Sequence, residues 1–103
     1  MKAPEECANM GELRDAIDAL DADLVALLAK RFAYIDRAAQ LKPAIGMPAR
    51  TTDRVQQVID QVRTRASALN LDPDLIETLW RALIENGIAR ETRLMGSAHD
   101  EIN

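Results

Sequence analysis

Two cations, Arg31 and Lys42, stand where an apolar helix face calls for hydrocarbon. From Asn9 to about Lys42 the chain reads as one long amphipathic helix. Leu13, Ile17, Leu20, Leu24 and Leu27 recur at alternating steps of four and three, the spacing of a face packed on other helices. The same count continues through Arg31, Ile35, Ala38 and Lys42. At ~100° per residue, Arg31 and Lys42 fall roughly 20° apart around the axis and about 16 Å apart along it, both directed inward. A buried cation is costly unless something negative meets it. Each therefore either pairs with an internal Asp or Glu, or carries its charge out past its neighbours, or helps hold an anionic ligand inside a helical bundle. Spacing alone leaves these outcomes open. Glu91 poses the same question with the opposite sign. It lies eleven residues after Trp80, on the stripe Ile76, Trp80, Leu83/Ile84, Ile88 and Met95, and is expected to face inward.

Three helices must position these groups, and the expected fold class is all-α. Residues 1–8 read as an extended lead-in, and Asn9 with Glu12 three residues later forms a capping-box signal. Two prolines and a glycine between Pro43 and Pro48 end the first helix and build a loop that also carries apolar Ile45 and Met47. A second helix is expected from Thr51-Thr52-Asp53, with a hydroxyl as N-cap. Its apolar positions are Val55, Val58 or Ile59, Val62 and Ala66, running out near Leu69. Asn70-Leu71-Asp72-Pro73 predicts a turn and a restart, with Asp72 as N-cap and Pro73 at the first helical position. The third helix is expected from Pro73 to about Met95, with 96–103 as a flexible tail. Gly87 sits inside it, where glycine costs about 1 kcal/mol against alanine.

The 103 residues suit one domain with one modest core. A net charge of −4 argues against a general nucleic-acid binder, which needs a basic footprint. No apolar run is long enough to span a bilayer, and the opening MKAPEECANM lacks the apolar core of a signal peptide. Cys7 and His99 offer no metal-ligand cluster. A cytoplasmic protein without metal or cofactor is expected.

A first helix of ~33 residues would span about 50 Å, whereas a compact fold of this size is only about 26 Å across as twice its radius of gyration. Its stripe needs a partner along its length, and a second copy in a C2 dimer is the commonest solution. Arg14 lies seventeen residues before Arg31, about 25 Å away along the axis and roughly 100° round it. The two cannot grip one small ligand from the same chain, but in an antiparallel pair Arg14 could come alongside the partner's site.

Taken in order, these residues resemble a known family, the small all-helical chorismate mutases with their isochorismate pyruvate-lyase branch. The resemblance covers about Leu13 to Leu94. It rests on Leu13-Arg14-Asp15-Ala16-Ile17-Asp18-Ala19-Leu20-Asp21, Leu27-Leu28-Ala29-Lys30-Arg31-Phe32, Lys42, Arg54 in Thr-Asp-Arg-Val, and Leu83-Ile84-Glu85-Asn86-Gly87-Ile88-Ala89-Arg90-Glu91. It implies an intertwined all-α homodimer with two sites, each built mainly from one chain and completed by the partner's Arg14. The implied substrate is a dicarboxylate, enolpyruvyl-bearing cyclohexadiene, either chorismate or isochorismate.

Chorismate rearranges to prephenate without nucleophile or metal. Catalysis consists of holding the enolpyruvyl arm over the ring and stabilising charge on the breaking ether oxygen. On the resemblance, Arg31 and Arg14 take the carboxylates, because a guanidinium forks onto a carboxylate with two parallel bonds. Lys42 and Glu91 meet the ether oxygen, and Arg54 helps close the site. Thr51, Val55, Gly87 and Ile88 complete the substrate-binding set. Many relatives carry glutamine where this chain has Glu91; a glutamate donates a hydrogen bond only when protonated, so activity favouring acidic pH is expected. Val55 replaces a glutamate that contacts the ring hydroxyl in many mutases, and Thr51 and Gly87 likewise replace polar side chains of the mutase branch. The opening Met-Lys-Ala-Pro-Glu-Glu-Cys is most similar to the lyase branch, whose reaction yields salicylate and pyruvate.

Overall fold

The computed structural model describes the backbone of residues 2–102 and the side chains of residues 2–96. Three long helices follow one another: α1 (Met10–Leu41), α2 (Thr52–Ala68) and α3 (Pro73–Ile102). Among the described residues there is no strand. The chain groups into two compact units, one up to Ala33 and one from Tyr34 onward, and α1 crosses the boundary.

In the first unit, the expected extended lead-in is instead a short 3-10 turn over Pro4–Glu6. Proline at its first position supplies a preset φ and lacks the N–H that such a turn leaves unbonded. Asn9 caps α1 as its spacing predicts: its Oδ1 accepts from the N–H of Glu12 at 2.9 Å. The returning bond is displaced by one residue, with Glu12 Oε2 accepting from the N–H of Ala8 at 2.8 Å. Lys2 adds an ion pair to Glu12 at 3.0 Å, and both contacts hold the Glu12 carboxyl below the usual range, the Ala8 amide contributing most. Among the described residues of this unit none is fully buried, and the apolar stripe lies open, with Ile17, Leu20, Leu24 and Leu27 about half exposed.

The core sits in the second unit. α2 packs against α3, and the apolar side chains that disappear from solvent are Ala39, Ile59, Val62, Ala66 and Ile84. Those on α2 and α3 are positions of the periodic stripes, as expected of amphipathic helices. Arg63 of α2 ties the open end of the pair by donating to Asp74 at 3.0 Å and Glu77 at 2.9 Å. Asn70 adopts φ 60° to end α2, and the N–H of Leu71 donates back to the carbonyl of Ala66 at 2.8 Å, a six-to-one closure in which asparagine tolerates the left-handed position. Asp72 then caps α3 through the N–H of Asp74 at 2.9 Å, with Pro73 as the first helical residue.

Two boundaries differ from expectation. α3 continues to Ile102 rather than ending near Met95, because Gly96 is not among the residues at positive φ and no proline follows to stop the helix. Asn103, at the end of the expected tail, lies outside the described residues. Thr51 does occupy the N-cap of α2, but its side chain makes no capping bond; its Oγ1 is buried without a hydrogen-bond partner.

The two interior glycines make opposite demands. Gly46 stands at φ 67° after a 3-10 turn over Pro43–Ile45, where a side chain is strained. At Gly87 an added Cβ would meet Ile35 at 3.7–3.8 Å, ordinary van der Waals contact. Gly46→Ala is expected to lower stability by about 1 kcal/mol, and Gly87→Ala to raise it by about 0.5–1 kcal/mol. Denaturant unfolding of both variants checks the pair of signs.

Candidate functional site

Among the sequence candidates, the second unit brings Lys42 and Glu91 together. Lys42 is the residue after α1 and Glu91 lies two-thirds of the way along α3. Their Nζ and Oε1 stand 2.8 Å apart, with the side chains 15% and 5% exposed. Glu91 is the buried charged residue of the core. Its Oε1 meets the ammonium as an ion pair but has no directional hydrogen-bond partner. The Lys42 ammonium also donates to the carbonyl of Ala49 at 2.7 Å, across the loop. Inward placement of both groups is what the eleven-residue counts predict. The partner that Lys42 meets in this structure is an internal carboxylate, the first of the outcomes that spacing left open.

Two bidentate pairs flank this centre. Arg90, adjacent to Glu91, grips Asp36 of α1 through Nε and Nη2 at 2.5 and 2.8 Å. Arg50, just before α2, grips Glu85 of α3 through Nη1 and Nη2 at 2.9 and 2.6 Å. Each arginine holds its carboxylate partner below the ordinary range, the side-chain hydrogen bond being the largest cause in both cases. Neither pair was legible in sequence, because partners 54 and 35 positions apart leave no local pattern. The Ala49 contact was also missed, since a backbone carbonyl has no residue signature.

The other candidates are placed as follows. Gly87 is buried against Ile35, and Val55 and Ile88 are half-buried. Arg54 is exposed on α2 and donates to Gln57 at 2.7 Å. Thr51 contributes the unpartnered buried hydroxyl. Arg31 and Arg14 lie on α1 in the first unit, Arg31 half-buried with its Nη1 enclosed and Arg14 exposed. A groove of about 480 Å³ in the first unit is lined by Lys2, Glu12, Asp15, Ala16 and Ala19 and includes none of the candidates. Among the described residues, no group of three or more His, Cys, Asp or Glu could hold a metal ion, and no helix is long and apolar enough to cross a membrane.

Fold and centre together define an all-α protein with a charged pair enclosed between the end of α1 and the side of α3. Residues 13–92 match the chorismate mutase type II family, and the chain belongs to that family. The isochorismate pyruvate lyase of Pseudomonas aeruginosa is 31% identical over 94 residues, covering 90% of this chain and 91% of that protein. The T-protein of Enterobacter agglomerans is 33% identical over 84 residues, but this chain spans only 22% of its length. The chorismate mutase of Methanocaldococcus jannaschii is 24% identical over 87 residues and is covered to 88%.

Removing one member of a buried ion pair strands the other. Lys42→Ala should therefore destabilise the fold by about 3–5 kcal/mol, and Lys42→Met combined with Glu91→Leu by clearly less; urea unfolding of the two variants compares them. Asp36 and Glu85 act differently with pH. Their carboxyls titrate lower when folded than when unfolded, so they contribute stability above the ordinary carboxyl range and lose it as pH falls through their folded values. The acid limb of the stability curve should be shallower in Asp36→Asn combined with Glu85→Gln.

Proposed function

We propose that the chain is a chorismate mutase, rearranging chorismate to prephenate by positioning and fixed charge. The observation that carries this is the enclosed Lys42–Glu91 pair, a proton donor and a potential one at the centre of a chain of the chorismate mutase type II family. In the rearrangement one ether C–O bond breaks as one C–C bond forms, and negative charge grows on the departing oxygen. A compact ammonium beside that oxygen stabilises the transition state more than the ground state. Glu91, when protonated, donates to the same oxygen. Arg31 and the partner's Arg14 hold the two carboxylates, Arg54 helps close over the substrate, and Thr51, Val55, Gly87 and Ile88 shape the ring's surroundings.

The site belongs to a single helical domain that works as a homodimer. The support is the open stripe on α1: Ile17, Leu20, Leu24 and Leu27 are 47–58% exposed, a run of contiguous apolar surface that soluble chains cover with a partner. Sedimentation should return a dimer, and Leu24→Asp should shift it to monomer or abolish folding.

Isochorismate pyruvate-lyase activity is the second reading. It is favoured by near full-length similarity to the P. aeruginosa lyase and by apolar Val55 where a mutase would place a carboxylate for the ring hydroxyl.

Purified protein given chorismate should yield prephenate by NMR; salicylate and pyruvate from isochorismate alone would move it to the second reading. Glutamine donates a hydrogen bond at any pH, so Glu91→Gln should give a mutase pH profile flatter than that of the unsubstituted protein. An identical pH profile in the variant would remove Glu91 from the proton-donor role.

A further inference from the structure

The Lys42 ammonium is reached by α3 along two routes. One is direct, through Glu91. The other runs through the backbone: Lys42 Nζ donates to the Ala49 carbonyl at 2.7 Å, that carbonyl shares a planar peptide with the nitrogen of Arg50, and the Arg50 guanidinium forks onto Glu85. Glu85 lies six residues before Glu91, about 9 Å along the axis of α3. The loop between is drawn in on itself, with the N–H groups of Ile45 and Met47 both donating to the Lys42 carbonyl at 3.2 and 2.9 Å and that of Gly46 to Pro43 at 3.2 Å.

From this geometry we propose that Arg50 and Glu85 are positioning residues, a surface clamp that sets the Ala49 carbonyl and through it the aim of the Lys42 ammonium. Both side chains are about half exposed, so the pair adds little to global stability. Its two-bond fork nevertheless tethers the Arg50 end of the Ala49–Arg50 peptide to α3 and narrows the positions its carbonyl can take. A lysine carries a flexible four-carbon stem; a second acceptor fixed in space confines it. The clamp holds the loop as well as the lysine, since one end of the 42–50 ring is α1 and the other is the gripped peptide. The catalytic consequence rests on the proposed role of Lys42 at the substrate, whereas the mechanical one does not.

The test uses the full chain and four variants: Glu85→Gln, Arg50→Gln, the two combined, and the exchanged pair Arg50→Glu with Glu85→Arg. Two readouts need no substrate, amide hydrogen exchange at Ile45, Gly46 and Met47 and the side-chain ammonium NMR signal of Lys42. Both single variants should speed loop exchange at least fivefold and broaden the ammonium signal, with Val62 and Ile84 amides unchanged. Turnover of chorismate should fall about tenfold in kcat with KM changed less, the double variant should be no worse than either single one, and the exchanged pair should recover most of the loss. Unchanged exchange and ammonium signal overturn the clamp, as do additive losses or a loosened loop with full kcat. A wild-type protein silent toward chorismate and isochorismate overturns the mutase and lyase readings, while the two substrate-free readouts still decide the clamp.

Discussion

Desolvation of two opposite charges governs the second unit. Glu91 lies in a core with Ala39, Ile59, Val62, Ala66 and Ile84, where a carboxyl group needs a polar partner, and an ammonium stands 2.8 Å away. The pairing restricts how α3 can sit against the end of α1. Turning α3 by one residue would move Glu91 about 100° round its axis and leave a charge without its counter-charge in hydrocarbon. From the solvent side, the fork Arg90–Asp36 joins α3 to α1 and the fork Arg50–Glu85 joins α3 to the segment before α2. The arrangement contributes uniqueness of register more than raw stability, since a well-packed apolar pair would suit the interior as well.

Membership of the chorismate mutase type II family gives this pair a chemical context. Pericyclic chemistry asks a protein for shape and fixed charge, which helices supply cheaply: a side chain at each of several helix faces and no loop-borne nucleophile. A glutamate beside the lysine differs from a glutamine there, which would carry no charge and would donate a hydrogen bond at any pH. Val55 is half-buried and the Thr51 hydroxyl turns inward near the start of α2; in the proposed site these are the positions at which two substrates differing in hydroxyl position would be told apart.

Sequence periodicity made the helices and the inward charges legible because both follow from the 3.6-residue repeat. Counting from Trp80 reached Glu91, and counting from Leu13 reached Lys42. Capping chemistry was legible at Asn9, Asp72 and Pro73, where one residue type has one strong local use. It failed at Thr51, whose hydroxyl turns inward instead of to its own backbone. It failed also at Pro4, where a proline that disfavours helix before it starts a 3-10 turn after it. Contacts between remote residues, such as Arg50 with Glu85, depend on where three helices come to rest and have no local signature. Nor has the Ala49 carbonyl, which any residue would present.

The open face of α1 also has a bearing on the life of the chain in the cell. Residues Met10 to Leu27 place a run of half-exposed leucine, isoleucine and methionine in water, the kind of surface that cellular chaperones and proteases recognise in immature proteins. On the proposed homodimer reading, a copy without its partner would carry its own mark of incompleteness. In the proposed homodimer, abundance would depend on synthesis rate as well as on intrinsic stability, because chains made slowly would meet quality control before they meet each other.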